Sequence, residues 1–223
     1  MISVVVPCFN EANTIVSAVD DIVALCDRID LEVIVIDDGS SDESFSKLSE
    51  RRDIKLQRHN INLGKGAAIA TGTAIAAGDI IVIHDADLEY DAEAIPKLIE
   101  PILTGKSDIV YGSRFKGEID EMSFSHYAGN KVLSYFTSLL CGASVSDMMT
   151  GQKAFRTNVF RSLHLEARRF EFEVEVTVEA LRRGYSILEV PIPYSRRKFG
   201  EAKITWSDGI RTMLRLLECR FAI

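Results

Sequence analysis

The chain has 223 residues, a formal net charge of −7, and a composition that is 47% hydrophobic and 26% charged. This length and composition suit one globular domain and exclude a largely disordered chain. The acidic balance argues against nucleic acid as a partner, because polyanions are bound by basic surfaces. The four cysteines form no Cys-x-x-Cys pair, so we expect reduced thiols in a cytoplasmic protein. No segment approaches the roughly 20 apolar residues of a membrane span.

The first half of the sequence predicts strands and helices in alternation. Runs of β-branched residues indicate strands, and amphipathic stretches between them indicate helices. Strands that are apolar on both faces and separated by helices are typical of a parallel sheet covered on both sides. The expected strands are residues 2–6, 31–37, 54–58, 79–84 and 108–112, and the expected helices are residues 12–26, 44–50, 65–76 and 92–103.

The second half is less regular. Its pattern predicts helices over residues 124–140, 172–183 and 207–219, a strand over 186–190 and a short element near 153–155. The sequence shows neither an internal repeat nor a low-complexity linker, so we expect a single domain over residues 1–223. Residues 196–223 carry seven basic and three acidic side chains, although the chain as a whole is acidic. This basic end favours an anionic partner such as a phosphate or a membrane surface.

Polar segments follow the predicted parallel strands, where such sheets bind their ligands. The acidic segment follows the strand over 79–84 and contains Asp85, Asp87 and Glu89. This alternation allows an extended segment to direct three carboxylates at one point. Carboxylate oxygens suit Mg²⁺ or Mn²⁺ held together with substrate phosphates. The alternative is a solvated acidic turn that caps the next helix.

Two further polar segments can each be structural or functional. Residues 37–42 (Asp-Asp-Gly-Ser-Ser-Asp) form either a turn with a helix cap or a carboxylate site for a base or ribose. Residues 62–66 (Asn-Leu-Gly-Lys-Gly) resemble a phosphate-binding loop at a helix start, with Lys65 as the cation. They are not a Walker A sequence, because Gly66 stands where Ser or Thr is required.

Taken together and in this order, the motifs resemble those of the family 2 glycosyltransferases of the GT-A fold. Within that family the sequence is most similar to the dolichyl- and polyprenyl-phosphate mannosyl- and glucosyltransferases. The resemblance implies a mostly parallel nucleotide-binding sheet flanked by helices over about residues 1–112 and a smaller acceptor-side region over about 113–223. The segments that carry it are VVVPCFNE at 4–11, DDGSSD at 37–42, NLGKG at 62–66, DADLE at 85–89, GSR at 112–114, HYAGNK at 126–131, DMMTGQKAFR at 147–156 and EVPIPY at 189–194.

The resemblance also implies roles for individual residues. Asp87 and Glu89 would contact the cation, with Asp85 near the ribose or the metal. Relatives often have Gln at the position of Glu89, which leaves the choice between Mn²⁺ and Mg²⁺ open. On the donor side, the nucleotide pocket would be lined by Pro7, Phe9 and Glu11, with Asp38 near the base and Arg114 near the donor or acceptor phosphate.

The implied reaction is inverting, metal-dependent transfer of a hexose from a nucleotide diphosphate sugar. Mannose from GDP-mannose is favoured, with glucose from UDP-glucose as the alternative, and the expected acceptor is a polyprenyl phosphate. A lipid phosphate is already anionic and needs only positive charge to position it. That charge would come from Arg114, Arg196, Arg197 and Lys203. A hydroxyl acceptor needs a general base, for which Asp147 is the candidate.

Several of these features also have a second interpretation. The chain can be a non-catalytic nucleotide-sugar-binding module or a partner subunit, although the intact acidic segment and Arg114 argue against it. The helix predicted over 207–219 either packs on its own core or lies on an anionic membrane surface. Glu173 and Glu175 are interpreted as carboxylates favoured by the dipole at a helix start.

Overall fold

A seven-stranded sheet forms the centre of the protein in the computed structural model, which describes residues 1–197, 199 and 206–221. Its strand order is β3-β2-β1-β4-β7-β5-β8. The pairs are parallel except that β7 runs antiparallel to both β4 and β5. The bounds are β1 Ile2–Cys8, β2 Leu31–Asp37, β3 Lys55–Arg58, β4 Ile80–Ile83, β5 Ile109–Ser113, β7 Lys153–Arg156 and β8 Ile187–Pro191. The α/β fold class expected from the sequence is confirmed.

Helices cover the sheet on both faces because its central strands are apolar on both faces. Val5 and Ile36 pack in one core with two helices, α3 (Lys65–Ile75) and α7 (Phe172–Arg182). Val4 and Val35 pack in the other core with α1 (Ile15–Val23) and α4 (Ile95–Leu103). Among the described residues the helices are α1 Ile15–Val23, α2 Ser44–Leu48, α3 Lys65–Ile75, α4 Ile95–Leu103, α5 Phe124–Cys141, α6 Thr157–Ser162, α7 Phe172–Arg182 and α8 Trp206–Phe221.

The second half adds features that the sequence pattern did not predict. The short element expected near 153–155 is β7, which inserts between two strands of the first half. A small second sheet pairs β6 (Ile119–Asp120) with β9 (Tyr194–Ser195) in parallel. This pairing brings the segment that ends at Arg197 back across the end of the main sheet.

Helix α8 packs against α5 and α7 through one part of its surface. Leu216 is buried in the core there, and Met213 packs against it. Other apolar side chains of α8 are exposed, namely Ile210, Leu214, Leu217 and Phe221. No helix in the described part of the chain combines the length and apolar character needed to cross a bilayer.

Candidate functional site

The polar segments after β1, β2 and β4 lie together because these three strands are parallel neighbours. Cys8 pairs with Asp37 in register, and Val5 pairs with Ile83. The segments are then joined by hydrogen bonds. The backbone N–H of Asn10 donates to the Ser40 hydroxyl at 2.9 Å, and that of Glu11 donates to the Ser44 hydroxyl at 2.8 Å. Pro7 and Phe9 are half-buried at this edge.

Asp38 organises the loop that precedes α3. Its carboxylate accepts hydrogen bonds from the backbone N–H groups of Leu63 at 2.9 Å and Gly64 at 2.7 Å, and it lies 2.7 Å from Nδ1 of His59. Gly64 has a φ of 103°, and a Cβ there would lie 2.4 Å from the carbonyl oxygen of Arg168. The loop conformation therefore requires glycine at this position. Asp38 is buried, and its hydrogen bonds hold the loop; its expected place near the base stays a prediction.

Lys65 begins α3 but points at carboxylates. Its Nζ lies 2.8 Å from Oδ1 of Asp85 and 2.8 Å from Oε1 of Glu173. Burial alone would lower the pKa of Lys65, but the two carboxylates outweigh burial and raise it. For Asp85, burial raises the pKa while Lys65 opposes that shift. The phosphate-loop lysine expected from the sequence is thus engaged in holding Asp85.

Three carboxylates at the sheet edge share Arg197. Nη1 of Arg197 lies 3.1 Å from Oε1 of Glu11, Nη2 lies 2.5 Å from Oδ2 of Asp87, and Nε lies 3.6 Å from Oε1 of Glu89. We call the three carboxylates, Glu11, Asp87 and Glu89, the acidic cluster. Burial, together with neighbouring Asp87, raises the pKa of Glu89 to about 7.

The segment before Arg197 is held across the acidic cluster by backbone hydrogen bonds. The N–H of Ser195 donates to the carbonyl oxygen of Glu89 at 3.0 Å, and the N–H of Tyr194 donates to that of Glu118 at 2.9 Å. Tyr194 also forms an antiparallel bridge with Tyr90. These contacts place Arg197 over the carboxylates of the first half.

The atoms of the acidic cluster suit a hard divalent cation as ligands, since they are carboxylate oxygens that already surround one positive group. Among residues 1–197, 199 and 206–221, however, no three Asp, Glu, His or Cys side chains stand as a ready metal site. Asp85 is turned towards Lys65, while Asp87 and Glu89 share Arg197. Asp87 and Glu89 have the oxygen ligands that such an ion prefers, but they could bind it only if Arg197 moved away.

Arg114, directly after β5, forms a separate buried ion pair with Asp147. Nε of Arg114 donates to Oδ2 of Asp147 at 2.8 Å, Nη2 donates to Oδ1 at 2.7 Å, and the backbone N–H donates to Oδ2 at 2.9 Å. Asp147 is 0% exposed. Both of its oxygens are therefore occupied. This geometry opposes the expected role of Asp147 as a general base and makes it the residue that orients Arg114.

The remaining basic residues expected at the site, Arg196, Arg197 and Lys203, differ in where they lie. Arg196 points outwards, with a side chain that is 73% exposed and lies 3.4 Å from Glu121. Arg197 contacts the acidic cluster, although the sequence indicated an anion-binding role for it. Lys203 lies outside the described residues.

Sequence reasoning missed two residues of the site. Glu173 is buried against Lys65 and also pairs with Lys153. The hydroxyl of Tyr90 accepts a hydrogen bond from the N–H of Gly151 at 2.9 Å. Glu173 was missed because a carboxylate in the first turn of a helix is already explained by the helix dipole. Tyr90 was missed because no pattern in the neighbouring sequence indicates its hydrogen bond with Gly151.

The parallel strand ends, the acidic cluster beyond them and the inserted antiparallel strand define an α/β protein of the GT-A fold. The family model described as "Glycosyl transferase family 2" matches residues 3–163. The chain belongs to glycosyl transferase family 2, which is the family indicated by the sequence motifs.

Individual relatives agree with this assignment. The chain is 31% identical to the low-salt glycan biosynthesis hexosyltransferase Agl6 of Haloferax volcanii, over 94% of this chain and 51% of that protein. It thus spans about half the length of that relative. It is 25% identical to the polyprenol monophosphomannose synthase of Mycolicibacterium smegmatis, over 96% of this chain and 85% of that protein.

A solved structure shows the same fold. It is glucosyl-3-phosphoglycerate synthase from Mycobacterium tuberculosis in complex with Mn²⁺, UDP-glucose and phosphoglyceric acid. The TM-score is 0.80 at 22% identity, covering 99% of this chain and 79% of that one.

Proposed function

We propose that this protein transfers a hexose, with mannose favoured over glucose, from a nucleotide diphosphate sugar to a polyprenyl phosphate, with inversion at the anomeric carbon. The observation that carries the proposal is the convergence of Glu11, Asp87 and Glu89 at the sheet edge on one guanidinium. The names of the polyprenol monophosphomannose synthase and of the UDP-glucose complex support this chemistry. The choice of mannose and of a polyprenyl phosphate acceptor is supported by the name of the polyprenol monophosphomannose synthase.

Asp87 and Glu89 would hold Mn²⁺ or Mg²⁺, and a divalent ion supplies there a charge that stabilises the departing diphosphate. For these carboxylates to bind an ion, Arg197 must release them, since it now lies 2.5 Å from Oδ2 of Asp87. The released guanidinium remains next to the donor site, where it can pair with an anionic phosphate. Asp85, held by Lys65, faces the same edge and is placed for the ribose or the ion.

Around the nucleotide, the half-buried Pro7 and Phe9 would form part of the pocket wall, and Glu11 would lie at its acidic end. Asp38 contributes indirectly in this proposal. Its hydrogen bonds to the N–H groups of Leu63 and Gly64 fix the loop that borders the pocket. Discrimination between guanine and uracil would then fall to backbone and side-chain contacts of these segments.

Arg114 is the proposed positioning group for the reacting phosphates. Asp147 fixes its guanidinium with two side-chain hydrogen bonds, and the guanidinium carbon lies 5.5 Å from the centre of the Tyr194 ring. A group fixed in advance in this way spends no reorganisation energy when charge develops. A phosphate acceptor is already anionic, so this mechanism uses Arg114 to orient charge and does not require Asp147 as a base.

We also propose peripheral contact with an anionic membrane through α8. Ile210, Leu214 and Phe221 are exposed on this helix, and Arg211 and Arg220 lie close to them in sequence. Apolar side chains beside basic ones suit the interface of an anionic bilayer. Sedimentation with liposomes that contain phosphatidylserine tests this, with Leu214→Glu as the variant. We expect the variant to bind less, and equal binding would refute the contact.

The cytoplasmic location expected from the sequence stays a prediction.

Product formation tests the proposed reaction directly. Purified protein is incubated with GDP-mannose or UDP-glucose and a polyprenyl phosphate, in Mn²⁺, Mg²⁺ or EDTA, and the glycolipid is detected by mass spectrometry. We expect one donor to give glycolipid only when metal is present. Nucleotide binding without turnover under all these conditions would instead support the non-catalytic binding module.

A further inference from the structure

A row of alternating charges leads from the acidic segment towards buried side chains of the second half. It runs from Asp85 through Lys65 and Glu173 to Lys153. Lys65 lies 2.8 Å from an oxygen of Asp85 and 2.8 Å from an oxygen of Glu173. The other oxygen of Glu173 pairs with Nζ of Lys153, which also donates to the carbonyl oxygen of Thr150 at 2.5 Å.

These four side chains come from four different elements. Asp85 follows β4, Lys65 begins α3, Glu173 lies in the first turn of α7, and Lys153 begins β7. Lys65 is 14% exposed, and Glu173 and Lys153 are almost fully buried. Replacing such a buried ion pair by apolar side chains is often neutral or stabilising, so stability alone is a weak reason for the row.

The row fixes the carboxylate of Asp85 from behind. Lys153 holds Glu173, and Glu173 holds the ammonium of Lys65 against Asp85. The backbone of Gly151 also lies close to this carboxylate, since a Cβ there would lie 2.1 Å from Oδ2 of Asp85. Without Glu173, Lys65 would lose one of its two carboxylate partners and could follow Asp85 into other positions.

We infer that Glu173 is a positioning residue for the donor site, acting through Lys65 on the carboxylate of Asp85. This inference rests on the proposed function, because Asp85 belongs to the proposed nucleotide-sugar site. Glu173 itself lies behind Lys65 and need not touch the donor. It adds α7, an element of the acceptor-side half, to the set that determines how tightly the donor binds.

The chain offers a matched control two residues further along the same helix. Glu175 is as buried as Glu173, at 3% exposure, and is also paired with a cation, Arg215. Its carboxylate accepts hydrogen bonds from the N–H groups of Glu166 and Ala167 rather than contacting Lys65. Glu173→Gln and Glu175→Gln therefore both remove a buried charge, but Glu173→Gln alone removes one that holds Lys65.

The experiment measures the dissociation constants of GDP and UDP by calorimetry, with Mn²⁺, for the wild type and both variants, together with melting temperatures. For the nucleotide that binds the wild type, we expect Glu173→Gln to weaken binding by about tenfold, as for loss of one charged contact in a network that orders the site. Glu175→Gln should bind that nucleotide like the wild type. A purely structural role would instead lower both melting temperatures and leave both dissociation constants unchanged.

A double-mutant cycle with Lys65→Gln sharpens the test, since residues acting through one another give non-additive effects. Once Lys65 is absent, Glu173→Gln should weaken binding little further. Full additivity, or wild-type affinity in folded Glu173→Gln, would overturn the inference. If Glu173→Gln does not fold, Glu173→Asp keeps the charge with a shorter reach, and wild-type affinity in that variant would overturn it equally. A wild type that binds neither nucleotide would refute the proposed function itself, and this inference with it.

Discussion

The two arginines near the sheet edge differ in how their charge is matched. Arg114 is bound by a single buried carboxylate, Asp147, through three hydrogen bonds that include one from its backbone. Arg197 lies among three carboxylates, those of Glu11, Asp87 and Glu89, on a segment that crosses the sheet edge late in the chain. The first is a balanced and fixed pair. The second is shared by carboxylates from two segments, the one after β1 and the one after β4.

This difference indicates distinct roles. A fixed arginine is suited to orienting a phosphate, because its geometry does not depend on the ligand. An arginine shared by three carboxylates is suited to exchange, because a divalent cation carries twice the charge of a guanidinium and prefers carboxylate oxygens as ligands. Burial and the neighbouring Asp87 raise the pKa of Glu89 to about 7, while Arg197 opposes that shift.

The largest effect is expected from Asp87→Ala, which removes the carboxylate nearest to Arg197. Turnover should fall by about 10,000-fold, since roughly 5 kcal/mol of charge stabilisation through the metal are lost. Initial rates of glycolipid formation with Mn²⁺ measure this. Glu93→Ala is the control, because Glu93 is an exposed carboxylate that pairs with Arg28. Equal rates in wild type and Asp87→Ala would show that the acidic cluster takes no part in the reaction.

The next effect concerns the fixed pair. Asp147→Asn leaves the buried guanidinium of Arg114 without its counter-charge, which should cost about 3–5 kcal/mol of stability. Urea unfolding measures the change in the free energy of unfolding. Asp108→Asn is the control, because its partner Arg156 is more exposed and that pair should contribute little. If both variants lose the same small amount, the pair is not the fixed element described here.

The smallest effect separates the two roles most sharply. Arg197→Ala should bind Mn²⁺ more tightly in the absence of nucleotide, by roughly fivefold, equivalent to a coupling of about 1 kcal/mol. The concentration of free Mn²⁺ is followed by electron paramagnetic resonance during a titration. Arg196→Ala is the matched control, because the neighbouring side chain is exposed and pairs with Glu121. Weaker Mn²⁺ binding in Arg197→Ala would show that Arg197 does not compete with the ion.

The sequence predicted those parts of the fold that local pattern determines. Residues 31–37 were expected as a strand and form β2 with these bounds. The segments after β1, β2 and β4 were expected to meet because parallel strands end at one edge. The direction of β7 was not predictable, because it depends on how the chain returns after residue 113 and not on the composition of residues 153–156.

The same distinction applies to the site. Asp85, Asp87 and Glu89 were recognisable from their alternation within five residues. The contacts that complete the site join residues distant in sequence: Arg197 is 110 residues from Asp87, and Glu173 is over 100 residues from Lys65. No local pattern specifies such pairs. The basic residues near the end of the sequence therefore indicated an anion partner, whereas the structure places Arg197 on carboxylates.

The most direct test of the central claim is a thermal-shift panel of GDP and UDP, each with Mn²⁺, Mg²⁺ or EDTA, on the wild-type protein. A ligand that binds the folded state raises the melting temperature by mass action. A nucleotide-sugar site built on Asp87 and Glu89 predicts a rise with one nucleotide when metal is present and little rise in EDTA. No rise with either nucleotide, or an equal rise in EDTA, would contradict a metal-dependent donor site at this edge of the sheet.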